Sequence, residues 1–277
     1  FGTIARIARG NGHTKVLCQI DNVEPHEHHL TDKPFNRYYL HSVDGFVYMS
    51  EQVHSELRAY SDAPALFSPH PLFENFGERV ERSEACVRLG LDPANRYVLF
   101  FGLIRDYKGL DLLLDAWAQL RRAGRTEGRR LIVAGEFYTA REPYLNRIAD
   151  NGLQDEVLLH DRFIPDDDVK YYFSAADFVV QPYKTATQSG VTQIAYQFCV
   201  PMVVTKVGGL AEIVPDGRVG YVCEPTPEGV AGAIERMYEG DTLQRFRENC
   251  VEERRRFSWE EMCSRITELY GLVASGK

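Results

Sequence analysis

Long apolar runs and basic leader sequences are both missing from the 277 residues. No stretch of about 18 apolar residues occurs, so no segment is predicted to span a membrane. The N-terminus has no basic region followed by an apolar one, so no signal peptide is predicted. Because the first residue is Phe1 rather than Met, we expect the sequence to begin inside a longer protein.

Cysteine is scarce, and its spacing is not that of a zinc or redox site. The six cysteines include no C-x-x-C pair, which argues against a structural zinc ion and against a disulfide framework. Several lie in apolar patterns, where a free thiol behaves as a small hydrophobic group. We therefore expect a reducing compartment and a cytoplasmic protein, working either in solution or at the inner face of the membrane.

A basic surface is also not indicated, since the formal net charge is −8. This balance argues against nucleic acid as the main partner, because phosphate backbones bind basic surfaces. The local exception is a run of five arginines from Arg121 to Arg130. Its first interpretation is a solvated loop after a helix. The alternative is a patch that makes peripheral contact with anionic lipid headgroups.

Two nucleotide-binding motifs are absent as well. The order Gly-x-x-x-x-Gly-Lys-Ser/Thr of a phosphate-binding P-loop does not occur, and no Gly-x-Gly-x-x-Gly follows a predicted strand. Both motifs place backbone N–H groups against phosphates at a helix start. Their absence argues against a P-loop nucleotidase and against a dinucleotide dehydrogenase.

What the sequence does contain is an alternation of strand and helix patterns, which predicts an α/β fold with parallel sheets. Residues 1–77 are predicted to form an N-terminal domain that lacks its opening strands and helices. A connector over 68–77, marked by proline and glycine, ends it. Residues 78–257 are predicted to form a second domain, and 258–277 a final helix that a Ser-x-x-Glu capping box opens.

The first candidate site is the segment 102–109, which joins a continuous apolar strand predicted over 97–101 to a helix. Ligands of open α/β sheets bind at the carboxyl ends of the strands, so this segment lies at the predicted site. It begins with Gly102. Arg105 offers a planar fork of donors and Lys108 a compact positive charge, and both suit a diphosphate. An ordinary charged loop is the alternative interpretation.

The segment 182–191 lies between another predicted strand and a helix, and it carries Gln188, Ser189 and Gly190. A glycine near a helix start lets the backbone approach a ligand, and the free N–H groups there bind anions. The alternative is a plain N-cap made by Thr187 or Ser189.

The segment 207–214 follows a strand that begins near Pro201. Gly208 and Gly209 suit a close approach of the backbone to a ligand, and Glu212 can accept hydrogen bonds from sugar hydroxyls. Taken alone this signal is weak, because Gly-Gly loops are common.

Histidine and glutamate crowd the segment 21–29, which follows a predicted strand. They raise the hypothesis of a metal site, but adjacent residues cannot all face one ion from regular structure, and no distant ligand motif supports it. We therefore predict no metal ion. Asp21 and His26 are interpreted as contacts of a sugar or an acceptor.

Five segments occur in the order found in a large family of glycosyltransferases, the glycosyl transferases group 1, which includes glycogen synthases and mannosyltransferases. Together they cover about residues 97–224. Upstream, D-N-V-E-P-H-E from Asp21 is similar to the H-N-V-x-P-H-E of some members. The five resemblances are of 101–114 to G-R-x-x-x-x-K-G-x-D-x-L-L, of 131–136 to L-x-I-x-G-x-G, of 162–168 to G-F-V-P-x-x-x-L, of 174–182 to A-A-D-x-x-V-x-P-S, and of 201–212 to P-V-V-A-x-x-x-G-G-x-x-E.

The resemblance implies a GT-B fold, in which two Rossmann-like domains with parallel sheets face a cleft. It implies that the C-terminal domain holds most of a nucleotide-sugar donor without an essential metal or other cofactor. It assigns Lys108 to the donor diphosphate, the backbone near Phe163 and Ile164 to the base, and Gly208 and Gly209 to the donor sugar. It also implies that the last helix crosses back to the N-terminal domain.

Two departures from the family motifs fall on charged positions. The arginine expected five residues before Lys108 is Leu103 here, and Arg105 is the candidate substitute. The histidine of the upstream motif is Asp21, a position that often touches the donor sugar in the family. The choice of sugar is therefore expected to differ.

The most serious departure is the loss of a glutamate pair, eight positions apart, which holds the ribose and the donor sugar in the family. Counted back from Pro201, these positions hold Ala186 and Ile194, with no acid nearby. The candidate replacements are Gln188, Ser189, Gly190 and Gln193.

The motifs together predict a retaining glycosyltransferase that moves a sugar from a UDP- or GDP-sugar to a sugar, glycan or lipid-linked acceptor. The missing glutamates leave a second hypothesis, a non-catalytic sugar-nucleotide binder or partner subunit on the same fold. A third hypothesis, a sugar-nucleotide epimerase, requires acid–base carboxylates and histidines that the C-terminal motifs do not supply.

Overall fold

The computed structural model of the protein describes residues 1–23 and 32–275. The chain divides into two compact units. The first consists of Phe1–Pro71 together with Arg256–Lys277, and the second of Leu72–Arg255. The first segment ends at Pro71 and the second unit at Arg255, whereas the domain ends predicted from the sequence are 77 and 257.

The first unit begins with three helices and three strands in alternation. These elements are α1 (Gly2–Arg9), β1 (Leu17–Ile20), α2 (Asp32–Leu40), β2 (Gly45–Tyr48), α3 (Glu51–Arg58) and β3 (Ala65–Phe67). The strands run parallel in the order β1-β2-β3, with Leu17 opposite Gly45 and Phe46 opposite Ala65. Parallel pairing follows because a helix separates each strand from the next.

The second unit continues the alternation, and the last helix returns to the first unit. Among the described residues, none of the helices combines the length and the apolar character needed to cross a membrane. In chain order the elements are α4 (Arg82–Leu89), β4 (Arg96–Phe101), α5 (Leu110–Arg122), β5 (Arg129–Ala134), α6 (Glu142–Asp150), β6 (Val157–His160), α7 (Asp166–Ala175), β7 (Phe178–Gln181), α8 (Gly190–Gln197), β8 (Met202–Thr205), α9 (Leu210–Ile213), β9 (Gly220–Cys223), α10 (Pro227–Met237), α11 (Thr242–Glu253) and α12 (Trp259–Ser275).

Helices cover both faces of the sheet in the first unit, as the alternation of side chains along a strand requires. Phe46 of β2 lies in a buried cluster with residues of α2 and α3. The next residue, Val47, points the other way and packs against Met262 and Leu269 of α12. Close approach of α12 depends on Gly45, where a Cβ atom would lie 2.8 Å from an α12 side chain.

The sheet of the second unit is parallel and has the order β6-β5-β4-β7-β8-β9. The chain moves outward from β4 through β5 to β6, then returns to place β7 on the other side of β4. The order therefore reverses between β4 and β7. In open α/β sheets this reversal leaves a crevice at the carboxyl ends of the two central strands, where ligands bind.

Burial on both faces explains the apolar strand sequences of this unit. Every residue of β4 after Arg96 is buried. On one face α5 contributes Leu113, Leu114 and Trp117 to the main core cluster. The indole N–H of Trp117 donates to Glu156 Oε2 at 2.9 Å, so the polar end of this buried ring is satisfied.

Three elements, α4, β3 and β9, were not predicted from the sequence. The sequence of α4 carries three charged residues and has little apolar periodicity, and β3 has only three residues. β9 begins at Gly220, and glycine is disfavoured in strands. Here the neighbouring strand requires it, because a Cβ atom on Gly220 would overlap the carbonyl oxygen of Met202.

The arginine run was predicted as a loop after a helix, but Arg121 and Arg122 end α5, Arg129 and Arg130 begin β5, and only Arg125 lies in the loop between them. Arg121 lies 3.6 Å from Glu156, and Arg125 lies 3.3 Å from Glu235. The arginine side chains of these pairs are 40% and 65% exposed, so the pairs contribute little to stability. This arrangement favours the interpretation as a solvated, paired surface, and contact with lipid stays a hypothesis.

Candidate functional site

The loops that follow β4 and β7 meet at the reversal of the strand order. Gly109 ends the first loop with φ of +69°, and a Cβ atom there would overlap the carbonyl oxygen of Pro182 in the second loop. Glycine is the residue that satisfies both the left-handed backbone and the close approach. A backbone hydrogen bond from Lys184 to Tyr107, of 2.7 Å, joins the same two loops.

Lys108 lies between these loops, in a 3-10 turn over Asp106–Lys108. Its Nζ is 3.1 Å from the point where a Cβ atom of Gly102 would stand, so the missing side chain at 102 leaves room for it. On the other side, Nζ lies 5.6 Å from the centre of the Tyr183 ring. This distance is within the range of a cation–π interaction.

The positive charge of Lys108 is not neutralised by any carboxylate that the structure describes. Burial, and then repulsion from Arg105, lower the pKa of Lys108 to about 8, and no carboxylate in the described part of the chain opposes them. The nearby Lys184 differs, since its Nζ donates to Asp111 Oδ2 at 2.7 Å. Arg105 is exposed, with its guanidinium 5.2 Å from the ring of Tyr138.

Helix α8 begins beside Lys108. Ser189 occupies the N-cap position, but its hydroxyl bonds to the Tyr183 hydroxyl at 3.1 Å and caps no backbone N–H. The expected alternative of a side-chain cap by Ser189 is therefore not what the structure shows. Gly190, the first helical residue, is exposed, and Val191 lies 3.5 Å from the position of a Cβ on Gly102.

The loop after β8 packs against the segment that precedes α8. Gly208 has φ of +46°, and a Cβ atom on it would overlap the carbonyl oxygen of Ala186. The N–H of Gly209 donates to Thr187 at 3.2 Å. Glu212 lies in the short helix α9 and is exposed. The second and third sequence motifs thus form one surface with Lys108.

Glutamine amides near α8 are buried without hydrogen-bond partners among residues 1–23 and 32–275. Gln193 is 1% exposed, and neither its amide nitrogen nor its oxygen is bonded. The amide nitrogens of Gln188 and Gln181 are also buried and unbonded. Unpaired buried polar groups are uncommon in folded proteins and call for a ligand or water.

A cavity of about 180 Å³ opens at the carboxyl ends of β4, β5 and β6. Its wall includes Gly102, Glu136, Phe163 and Ile164. Ile164 is buried, whereas the Phe163 ring is 64% exposed. The cavity therefore offers an apolar surface for a flat ring together with a carboxylate that accepts hydrogen bonds.

Two residues of the first unit, Asp21 and His26, were also predicted to contact a sugar or an acceptor. Asp21 follows β1, is exposed, and lines a cavity of about 390 Å³ with Cys18 and Asn22. His26 lies outside the described residues. Across the part of the chain that is described, no three histidine, cysteine, aspartate or glutamate side chains are placed to hold a metal ion.

Sequence reasoning missed Tyr183, Gln181 and Glu136. Tyr183 is buried, and its ring and hydroxyl connect Lys108 to Ser189. It stands within a motif that the sequence singled out, but nothing in its neighbours shows that the ring points inward. Glu136 directly follows a predicted strand, and this position is the signal by which it could have been found.

Comparison with known proteins decides the family. The sequence model of Glycosyl transferases group 1 matches residues 95–240, which is 146 of the 277 residues. The chain belongs to the glycosyl transferases group 1 family. The matched residues contain the loops after β4, β7 and β8, so the motifs quoted from the sequence fall within the family domain.

Curated members of the family resemble most of the chain. D-inositol 3-phosphate glycosyltransferase 2 of Catenulispora acidiphila is 31% identical over 245 residues, which is 83% of this chain and 56% of that protein. D-inositol 3-phosphate glycosyltransferase of Segniliparus rotundus is 31% identical over 202 residues, 71% of this chain and 44% of that protein. The chain thus spans about half the length of the curated relatives it matches.

Several solved structures share the fold of this chain. Sucrose-phosphate synthase from Thermosynechococcus elongatus has a TM-score of 0.78 at 20% identity and covers 100% of this chain and 72% of its own. HepE of Anabaena, solved with UDP and glucose, has a TM-score of 0.74 at 17% identity and covers 98% and 75%. The predicted α/β, GT-B fold class is confirmed.

Proposed function

We propose that this chain is the donor-binding part of a group 1 glycosyltransferase that transfers a hexosyl group from a nucleotide-sugar. The observation that carries the proposal is the position of Lys108. A lysine without a carboxylate partner among residues 1–23 and 32–275, next to the start of α8 and at the reversal of the strand order, provides a site for a diphosphate.

The cavity beside Lys108 supports a nucleoside as the neighbour of that diphosphate. The exposed ring of Phe163 offers a surface on which a base can stack, and Gly102 lies in both the cavity wall and the Lys108 environment. HepE of Anabaena was solved with UDP and with UDP-glucose. A UDP-sugar is therefore the preferred donor, and a GDP-sugar is the alternative.

Chemistry at this site consists of stabilising a departing diphosphate. As the bond between the anomeric carbon and the leaving oxygen breaks, negative charge grows on the nucleotide. Lys108, Arg105 and the N–H groups at the start of α8 supply fixed positive charge and dipoles there. We propose that transfer proceeds with retention of configuration and that these protein groups carry out the charge stabilisation without a metal ion.

Neutral amides replace the glutamate pair of the family in this proposal. Gln193 and Gln188 carry buried amide atoms without partners among the described residues, and these are the atoms we propose for the sugar hydroxyls. The Gly208 backbone packs against the segment just before them. An amide both donates and accepts, so it can hold a hydroxyl as a carboxylate does. The absence of acids at Ala186 and Ile194 keeps the non-catalytic binder as the second candidate.

Thermal unfolding with UDP, GDP and ADP tests the donor assignment on the chain as it stands. A nucleotide at 100 times its dissociation constant stabilises the native state by about 2.7 kcal/mol. Stabilisation by one nucleotide identifies the base. Product analysis with the matching sugar conjugate then separates transfer from binding alone, and stabilisation by none of the three contradicts the proposal.

The acceptor is proposed only by class. The curated relatives are named for transfer to an inositol phosphate, so a phosphorylated polyol is the first acceptor to test, before glycans and lipid-linked sugars. Transfer of label from UDP-glucose to an inositol phosphate supports this class. If glycans are glycosylated and an inositol phosphate is not, glycans replace the phosphorylated polyol as the acceptor class.

A further inference from the structure

A second cavity of the Leu72–Arg255 unit lies at the amino end of β4, whereas Lys108 follows the carboxyl end of that strand. It has a volume of about 220 Å³ and is lined by Arg96 at the start of β4, Tyr238 after α10, and Arg247 of α11. A strand of six residues is about 20 Å long, and β4 separates this cavity from the donor loops. One small ligand therefore cannot occupy both places.

Positive charge dominates the surroundings of this cavity. Burial lowers the pKa of Arg247 below its ordinary value, and the guanidinium groups of Arg79, Arg96 and Arg82 lower it further. Within the described residues, Asp177 is the acid that opposes this effect. Three guanidinium groups therefore repel Arg247, one carboxylate attracts it, and of these arginines Arg96 shares the cavity wall with Arg247.

Asp177 is already fully engaged. Its side chain is 2% exposed, and Oδ2 accepts from the N–H of Tyr97 at 3.0 Å while Oδ1 accepts from Arg96 Nη1 at 3.2 Å. Arg247 Nη2 lies 4.0 Å from the same Oδ1. Asp241 at the cavity rim is 80% exposed and pairs with Arg245 at 3.3 Å, so it is diverted from the interior.

Carbonyl oxygens, rather than acids, hold the other guanidinium groups. Arg82 donates to two carbonyls within 93–95, and Arg247 Nη2 donates to the two carbonyls just before β7. In the part of the chain that is described, Nη1 of Arg247 and Nη2 of Arg96 have no acceptor, and Nε of Arg247 is buried without one. Among the described residues, these arginines therefore have more N–H donors than acceptors and more positive charge than Asp177 balances.

We propose that this cavity is a second anion site, which binds a phosphate group between Arg96 and Arg247. The planar guanidinium forks suit the paired oxygens of a phosphate. The added negative charge relieves the repulsion among the four guanidinium groups. The phosphate can come from free inorganic phosphate or from a phosphomonoester, and the site is independent of the donor loops.

Inorganic phosphate tests the site through the thermal unfolding midpoint, compared with sodium chloride at equal ionic strength. The midpoint is expected to rise with the logarithm of phosphate concentration in the wild-type chain. In the Arg96→Gln variant, phosphate should not raise the unfolding midpoint above the value that the variant has without phosphate. Arg125→Gln, a matched change at an arginine that pairs with Glu235 and does not line this cavity, and Lys108→Ala in the donor loops should both keep the rise.

Three outcomes would overturn the proposal: no rise beyond that with chloride, an equal rise in Arg96→Gln, or a rise that Lys108→Ala abolishes and Arg96→Gln retains. If Arg96→Gln does not fold, Arg96→Lys decides, because it keeps the charge but loses the fork. A weakened rise supports the site, and an unchanged rise overturns it. A rise with glycerol phosphate identifies a phosphomonoester, and a rise with phosphate alone identifies the free anion.

Discussion

The carbonyl oxygen of Pro182 occupies the place where a side chain on Gly109 would begin. Through this contact the loop that carries Lys108 rests directly on the loop that leads to α8. The two loops that we propose to bind the donor diphosphate are therefore held in register by a direct backbone contact.

Replacing Gly109 by alanine is expected to separate these loops. The residue has φ of +69°, so alanine costs about 1–2 kcal/mol in backbone strain, and the overlap with Pro182 must also be relieved by movement. Lys108 moves with the loop, and the affinity for UDP should fall roughly tenfold or more, since one charge-assisted contact contributes about 1.5–3 kcal/mol. Calorimetric titration with UDP and a denaturant unfolding curve measure the two effects.

Gly124→Ala is the matched control for that change. Gly124 has φ of +68° but no atom within 4 Å of the added Cβ. Gly124→Ala should lower the free energy of unfolding through the same backbone strain, and it should leave the affinity for UDP unchanged. If both variants lose UDP affinity equally, the contact between Gly109 and Pro182 does not position the site.

Tyr183 is expected to act through its ring more than through its hydroxyl. Tyr183→Phe removes the bond to Ser189 and should reduce stability by about 1 kcal/mol, with the cation–π contact to Lys108 retained. Tyr183→Leu removes that contact as well, which is worth about 0.5–2 kcal/mol. UDP affinity should fall in the order wild type, Phe, Leu. Equal affinities in the Phe and Leu variants would count against a role for the ring.

UDP binding is expected to weaken as the pH rises through about 8. Burial and Arg105 lower the pKa of Lys108 to about 8, so the unliganded lysine is charged below that pH and loses its proton above it. At the limit, affinity falls about tenfold for each further pH unit. Burial raises the pKa of the neighbouring Tyr183, so that hydroxyl stays neutral over this range.

Lys108→Arg isolates the lysine in that experiment. An arginine stays charged across the same range, so any remaining change of affinity with pH belongs to the nucleotide or to other groups. The UDP affinity of the wild type should begin to fall near pH 8, and that of the Lys108→Arg variant should stay constant. Parallel curves would assign the pH dependence elsewhere.

Much of the second unit could be predicted because its strands are buried on both faces. The apolar runs of β4, β7 and β8 are direct consequences of that burial, and the loops after them follow from the rule that parallel strands present ligands at their carboxyl ends. Elements at the edge of the sheet were harder to predict. The edge strand β9 begins with a glycine that only its backbone contact with Met202 explains.

The side-chain arrangement of the site was not visible in the sequence. A helix cap by Ser189 was the alternative interpretation of the sequence, whereas its hydroxyl bonds to Tyr183, a partner six positions earlier that only the folded loop brings close. Likewise, the excess of arginine around Asp177 draws on residues from β4, α4 and α11, which are far apart in sequence. Local pattern carries no information about such tertiary contacts.

The most direct test of the account is the dissociation constant of UDP, measured by calorimetry for the wild-type chain, Lys108→Ala and Lys184→Ala. Both lysines lie in neighbouring loops, but Asp111 neutralises Lys184, while Lys108 has no carboxylate partner within the described residues. Lys108→Ala should weaken UDP binding roughly 10- to 100-fold, from the 1.5–3 kcal/mol of a charged hydrogen bond, and Lys184→Ala should weaken it much less. Equal affinity in wild type and Lys108→Ala would contradict the claim that Lys108 holds the donor diphosphate.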